Sequence, residues 1–313
     1  MLGRLRAAGE NPSMLFNGIG HAPACLTDAD NDQPANNLAA LDCPDWLGPR
    51  LQHSLGDQFA PILRALQHRA PVFLRVNLAR TTRDAVLALL LTDGIDCVPH
   101  PLAKSSLTVL TSSRKLKTTK PYADGLFDFQ DVASQAIVED IPTTSGQNIL
   151  DFCAGGGGKT LALAARLNSH IWAYDAEPAR MRDLPARAKR ARAKIGILTD
   201  PAQHAPYDLV LVDAPCSGSG SWRRDPAGKW ALTEARLAEL TAVQADILHR
   251  ASALVAPNGV LAYVTCSLLA EENQDQIAQY LRRCPEWTQA STRHLTPLDG
   301  GDGFFLSVLT RIK

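Results

Sequence analysis

The chain of 313 residues has no excess charge of either sign, since 32 basic and 32 acidic side chains give a formal net charge of +0 at pH 7. A polyanionic partner could be held only by local basic patches, and composition gives no vote for nucleic acid. A cysteine framework is missing as well. The seven cysteines are odd in number, with no C-x-x-C and no Cys/His cluster at zinc spacing, which argues against a disulfide scaffold and a structural metal and fits a reducing cytoplasm. Long apolar runs are absent: the stretch 85–91 falls far short of the about 20 residues that span a bilayer, so no membrane association is expected. Met1 is followed by Gly3, Arg4, Arg6, Glu10 and Pro12 without an apolar segment, so no secretory leader is expected. No internal repeat or low-complexity segment is visible.

What remains is patterned for two domains, in line with a prior of about 150 residues each. Residues 1–48 are rich in Asn, Asp, Pro, Gly and Ala and read as loops with short helical pieces. From position 49, Leu51, Leu55, Phe59, Ile62, Leu63 and Leu66 recur at helical spacing and stop before Pro71. A strand over 72–77, an amphipathic helix over 83–93 stopped by Gly94, and short strands through 107–110 predict a small α+β domain over 49–125. Arg114, Lys115, Lys117 and Lys120 add positive charge beside it, as a binding patch or as a solvated loop.

The span 126–313 alternates helix and strand. Helices are predicted over 130–141, 159–167, 178–194 and 273–283, with strands over 149–152, 171–174, 195–198, 209–212, 260–264 and 304–309. Leu237, Leu240, Val243, Ile247, Leu248, Ala251 and Leu254 mark one face of a further long helix, closed by Pro257-Asn-Gly259. This alternation implies a parallel sheet with helices on both faces, an α/β fold. Ligands in such folds bind at the carboxyl ends of the strands.

Three strand ends carry chemistry. The first leads into Asp151-Phe-Cys153-Ala154-Gly155-Gly156-Gly157-Gly158-Lys159-Thr160, a glycine-rich turn at a helix N-terminus, where backbone N–H groups can hold a ligand. It is neither of two familiar nucleotide loops. A P-loop needs glycine where Cys153 stands, and G-x-G-x-x-G fails at Thr160, which leaves a nucleotide-like ligand without a triphosphate. Asp175 ends the next strand and could accept from a ribose, and Asp200 after the third strand is placed to meet a base edge; either acid alone also reads as a loop or cap residue. The remaining two ends carry thiols: Asp213-Ala-Pro-Cys216-Ser-Gly-Ser-Gly220 follows one buried strand, and Thr265-Cys266-Ser267 follows another. A lone buried cysteine is usually packing, but a thiol pair beside a ligand loop invites covalent catalysis.

Together with Gly303-Phe-Phe305, and with Arg75-Val-Asn77 and Phe127-Asp-Phe-Gln-Asp131 upstream, these motifs resemble in order the set of the Sun/NOP-type RNA cytosine-5 methyltransferases, from about Pro44 to the C-terminus. The resemblance implies a class I, Rossmann-like methyltransferase fold behind a small RNA-binding α+β domain, with S-adenosyl-L-methionine as cofactor and no metal. It implies that residues 153–159 lie under the methionine and ribose, that Asp175 binds the ribose hydroxyls, Asp200 the adenine, and Asp213 the methyl-donor end and the target cytosine. Cys266 would be the nucleophile, Cys216 would assist product release, and Lys159 would support protonation or orientation of the base. The implied substrate is RNA, 16S ribosomal RNA ahead of transfer RNA, modified by a cytoplasmic monomer. The chain departs from the family at Gly155-Gly156, where Ala-Pro is usual, and at Arg187, where Asn is usual. It also carries, in 1–48, only a partial counterpart of the helical RNA-binding domain of bacterial relatives.

Rivals differ in specific residues. DNA cytosine methyltransferases use the cysteine of a Pro-Cys motif followed by Glu-Asn, whereas Ser217-Gly218 follows here. A catalytically idle RNA-binding assembly factor would not need both thiols, Lys159 and the acids. The basic run Arg180, Arg182, Arg187, Lys189, Arg190, Arg192 and Lys194 reads as an RNA-backbone contact or as a solvated face.

Overall fold

Two hydrophobic patterns in the chain become two sheets in the computed structural model, which describes residue 5 and residues 9–31, 37–111, 113–167 and 169–312. Of the loops and short helical pieces expected over 1–48, the turns Pro12–Met14, Asp28–Asn31 and Asn37–Ala40 are described, while 1–4, 6–8 and 32–36 lie outside the described residues. Helices α1 (Gly48–Leu55) and α2 (Phe59–Leu66) realise the expected periodicity, burying Leu51, Ile62, Leu63 and Leu66. They do not pack on the small sheet that follows. Their partners are Trp222, Leu237, Leu240, Leu268 and Leu269, which places them against the larger unit.

The small sheet has strands β1 (Phe73–Val76), β2 (Cys97–Pro99), β3 (Ser106–Val109) and β4 (Phe127–Phe129) in the order β2-β3-β1-β4, every pair antiparallel. Helix α3 (Arg83–Thr92) is capped by Thr82, whose hydroxyl accepts from Ala85 N, and it lays Val86 and Leu90 against Leu74, Val76 and Phe127. Phe73 points the other way, into the core formed by α4 (Val132–Asp140). The boundary expected at 125 therefore falls inside this unit, because β4 completes its sheet.

The large sheet runs β10-β11-β9-β8-β5-β6-β7. Its elements in chain order are β5 (Ile149–Asp151), α5 (Gly158–Leu167), β6 (Ile171–Ala173), α6 (Leu184–Ala191), β7 (Ile195–Ile197), β8 (Tyr207–Asp213), α7 (Glu234–Ser252), β9 (Val255–Thr265), α8 (Gln274–Arg283), β10 (Trp287–Leu295) and β11 (Phe304–Arg311). Alternation along the strands sends Ile149, Leu209 and Leu211 to one face and Leu150, Val210 and Val212 to the other, where helices cover both. Burying each such side chain contributes about 1.5–3 kcal/mol, enough to fix the register.

The expectation of a parallel sheet needs correction at one edge. Strands β9, β8, β5, β6 and β7 are parallel to one another, but β11 is antiparallel to β9 and to β10. The link from Leu295 to Phe304 holds only a 3-10 turn, Pro297–Asp299, too short for the crossover a parallel return requires. Strand β10 itself was not anticipated, because its middle is exposed and polar and only Trp287 and Leu295 at its ends are buried. The helix expected over 178–194 breaks into a 3-10 turn, Pro178–Met181, and α6, since Pro185 is tolerated only in a first turn. Helix α7 ends at Ser252, and Pro257-Asn-Gly259 lies within β9, near a shift in its register with β8.

Candidate active site

Strands β5 and β8 are neighbours, yet the chain leaves β5 toward β6 on one side and leaves β8 toward β9 on the other. A crevice opens at their carboxyl ends, as at any such switch point. It is a cavity of about 640 Å³, with the glycine-rich loop, Lys159, Asp213 and Phe304 on one wall and Phe73 and Phe129 of the small sheet on the other.

The loop is shaped by its glycines. Gly155 and Gly157 have φ of +49° and +78°, a region costly for side chains. A Cβ on Gly157 would stand 2.2 Å from Leu184 Cδ1, so this residue lets the loop lie on α6 and does not line the cavity. Cys153, Ala154, Gly155, Gly156 and Gly158 do line it, and a Cβ on Gly155 or Gly156 would meet the guanidinium of Arg180 or Arg187 at 3.4 Å. Beneath the loop, buried Asp175 accepts from Gly155 N (2.9 Å) and Glu177 N (3.0 Å) and pairs with Arg180 (3.3 Å). Buried Asp151 accepts from Thr160 Oγ1 (2.7 Å) while its Oδ1 has no partner, and burial raises its carboxyl to about 7 against that hydrogen bond. The family departures meet in space, since Arg187 donates to the Gly156 carbonyl and also pairs with Asp128.

On the thiol side, Lys159 Nζ lies 2.7 Å from Asp213 Oδ2 and 4.9 Å from the centre of the Phe304 ring. Burial works against the lysine's charge, but the charge and hydrogen bond of Asp213 outweigh it and hold Lys159 above its ordinary value. Cys216 Sγ and Cys266 Sγ are 3.4 Å apart, both free. The hydrogen bond shared with Cys216 pulls Cys266 below the usual thiol value, with help from Lys159 and against burial and Asp213. The same bond, with burial, pushes Cys216 well up. The pair therefore gives up its first proton more readily from Cys266 than from Cys216. Cys153, whose thiol burial pushes far up, is inert by comparison. Neither Cys216 nor Cys266 lines the cavity itself; Lys159 and Asp213 line it and act on Cys266.

Asp200 is not brought to this place. It is exposed, accepts from Ala202 N (2.9 Å) within its own turn, and lies outside the cavity lining. The basic run on α6 is only partly available, because Arg187 and Arg190 both clamp Asp128, Arg190 stacks on Tyr122 and Arg180 holds Asp175. Arg182, Lys189, Arg192 and Lys194 are exposed, as are Arg114, Lys115, Lys117 and Lys120.

Two groups were invisible in the sequence reading. Asp302 joins Arg223 (2.7 Å) and Arg224 (2.6 Å), and Arg224 also reaches Asp131 (2.7 Å), which caps α4 through Ala133 N. The network closes the cavity floor near Phe304, and its only hint was that Asp131 and the segment before Phe304 belong to quoted motifs. Glu272, wholly buried, accepts from Ser217 and Ser267, the residues after the two cysteines. In the run Leu269-Ala-Glu-Glu-Asn273 it is indistinguishable from an ordinary helix-start acid.

Comparison with known proteins bears on the family and the fold. A family model described as 16S rRNA methyltransferase RsmB/F matches residues 141–309, and one described as an RsmF/B-like ferredoxin-like domain matches residues 43–114. Ribosomal RNA small subunit methyltransferase B of Photorhabdus laumondii is 33% identical over 292 residues, covering 88% of this chain and 68% of that protein. Its namesake from Salmonella arizonae is 35% identical over 296 residues, covering 88% and 69%. Among solved structures, PH0851 superposes with a TM-score of 0.82 at 28% identity, covering 91% of this chain and 71% of that one. A methyltransferase homolog from Pyrococcus horikoshii shares the fold with a TM-score of 0.76 at 22% identity, covering 88% and 97%. With more than half its length matched by that model and its two sheets arranged as described, the chain belongs to the 16S rRNA methyltransferase RsmB/F family.

Proposed function

We propose that the chain methylates C5 of a cytosine in small-subunit ribosomal RNA, through a covalent adduct on Cys266. The observation that carries this reading is the thiol pair at 3.4 Å, placed at the ends of β8 and β9 beside the Lys159–Asp213 pair. S-adenosylmethionine is the cofactor of this family, and when bound it supplies an electrophilic methyl group. The residues present suit it. Glycines 155, 156 and 158 leave room for close approach, and Asp175 and Asp213 offer negative charge. We assign residues 153–159, Asp175 and Asp213 to the cofactor, and Asp200 to its adenine end.

C5 of cytosine is a weak nucleophile. The Cys266 thiolate adds to C6, its electron pair forming the S–C6 bond while the C5=C6 electrons move into the ring, and C5 becomes enamine-like and able to accept a methyl group. Lys159 stabilises the thiolate beforehand and can orient the base, and Asp213 holds Lys159 and can accept from the base. A base then takes the C5 proton, the freed electron pair re-forms the C5=C6 double bond and the S–C6 pair leaves with Cys266; Cys216 takes part in this release once its own thiol proton has been lost. The target base must leave its stack to reach these groups. We further propose that the β1–β4 unit, with exposed Arg114, Lys115 and Lys117 near the cavity mouth, is the RNA-binding part of a cytoplasmic monomer. Free cysteines throughout the described residues suit that compartment.

The test is methyl transfer from labelled cofactor to unmodified small-subunit ribosomal RNA, with transfer RNA in parallel. Cys266→Ala should transfer no methyl group, and Cys216→Ala should accumulate a protein–RNA adduct stable on a denaturing gel. Full activity in Cys266→Ala, or transfer to transfer RNA alone, would sink the corresponding part of the reading.

A further inference from the structure

Glu272 closes the 3-10 turn Ala270–Glu272 that leads into α8, and none of its surface reaches solvent. Its Oε1 accepts from Ser217 N (2.8 Å) and Gln244 Nε2 (3.0 Å). Its Oε2 accepts from Ser217 Oγ (2.5 Å) and Ser267 Oγ (2.5 Å). Each serine directly follows one of the paired cysteines. The direction of these bonds is set by their surroundings, since Ser267 Oγ accepts from Leu269 N and so turns its proton to the carboxylate. Among the described residues no cation pairs with Glu272. A buried carboxylate of this kind is weak as a source of net stability, and the feature it does determine is how far apart the two loops lie.

We propose that Glu272 is the positioning residue of the thiol pair: one carboxylate gathers Ser217 and Ser267 and so sets the separation at which Cys216 can donate to Cys266. The inference rests on the two-thiol reading above. Ser219 supports the same joint, its hydroxyl 3.0 Å from Ser267 Oγ and accepting from Leu268 N. The backbone adds Gly220 N to the Cys266 carbonyl (2.9 Å). Charge acts on the two thiols unequally: Glu272 raises both and Asp213 also raises Cys266, whereas Lys159 lowers Cys266.

The experiment uses the full chain and two readouts. One is the pH dependence of alkylation by iodoacetamide, resolved for Cys216 and Cys266 by peptide mass spectrometry. The other is kcat and KM for methyl transfer to ribosomal RNA. Glu272→Gln removes the charge and presents an amide where acceptors are needed. Both thiols should then alkylate at lower pH, Cys216 with a midpoint lower by roughly one unit, because a like charge has been taken from beside them. Turnover should fall about 100-fold, with KM for the cofactor changed less than about twofold, because the loss lies in the chemical step. Glu272→Asp should restore the alkylation profile and leave turnover low, since it returns the charge but shortens the reach. Ser217→Ala removes the hydroxyl bond but keeps Ser217 N on Oε1, and Ser267→Ala removes its arm altogether; each should lower kcat, Ser267→Ala by about tenfold and Ser217→Ala by less. Wild-type alkylation and turnover in Glu272→Gln would overturn the inference. So would a loss in Glu272→Gln that neither serine variant shares, which would make Glu272 a folding residue only. If Cys266→Ala still methylates RNA, the two-thiol reading fails, while the alkylation profiles still decide the role of Glu272.

Discussion

The glycine-rich loop and the two cysteine loops lie at the ends of adjacent strands and are held in opposite ways. Residues 153–158 are tied down from beneath, by Ala154 N to the Tyr174 carbonyl, Gly155 N to Asp175, Gly157 N to the Ala154 carbonyl, Leu161 N to the Gly157 carbonyl and Arg187 to the Gly156 carbonyl, and their cavity side is left open. The cysteine loops are knitted shut. Glu272, Ser219, Asn273 and the close passage of Gly220 over Gly303, where a Cβ would come within 2.2 Å of a carbonyl oxygen, leave them no slack. A cradle for a ligand must keep N–H groups and space unspent until the ligand arrives. A nucleophile and its proton partner must have their distance set in advance.

That contrast can be broken from either side. The largest effect is expected for Cys266→Ala, with methyl transfer reduced by about four orders of magnitude or more, and calorimetry should find cofactor affinity unchanged; weakened affinity would show that the two regions are one. Next comes Asp151, beneath the loop. Burial places its folded carboxyl at about 7 against an ordinary 3.8, so the folded state binds more protons between those values. Stability should fall as pH rises from about 4 to about 7, by up to about 4 kcal/mol, and Asp151→Asn should flatten that part of a denaturation-versus-pH curve. A curve as steep in the variant as in the parent would assign the slope to other groups.

Lys159 belongs to both regions, at the start of α5 and against Asp213. Lys159→Met should lower kcat about 100-fold and move Cys266 alkylation to higher pH; an unmoved alkylation profile would detach the lysine from the thiol. The smallest effect is expected from Gly157→Ala, which sets a methyl group against Leu184 at a φ of +78°. It should cost about 2 kcal/mol in urea denaturation and weaken cofactor binding while leaving the thiol profile intact. A shifted profile would mean that the loop and the thiols are mechanically coupled.

Legibility followed the range of the interactions involved. Strands such as β8, with apolar residues flanked by Asp208 and Asp213, were plain because burial on both faces demands a continuous apolar run. Helix α7 was plain along its length but not at its end, because Pro257 and Gly259 resemble a stop whether they close a helix or sit near a register shift in a strand. Strand β10 could not be seen, as an edge strand owes its place to β11 and not to its own apolar residues. In the proposed site, Cys153, Lys159, Asp213 and both thiols stand out in the sequence by type and position. Glu272 and the Arg223–Arg224–Asp302 group did not, since a carboxylate looks the same in sequence whether it meets solvent, an arginine or a serine hydroxyl.

The sequence by itself determined which chemical groups stand at which strand ends, because apolar runs, turns and glycines act over a few residues. Only the tertiary structure decided that Cys216 and Cys266 meet at 3.4 Å, that Glu272 gathers the serines after them, and that the small sheet walls the cavity. The thiols are brought together by the parallel register of β8 on β9, in which Asp213 stands against Val264. Such pairing joins residues fifty positions apart, through backbone hydrogen bonds that carry no local signature in the chain.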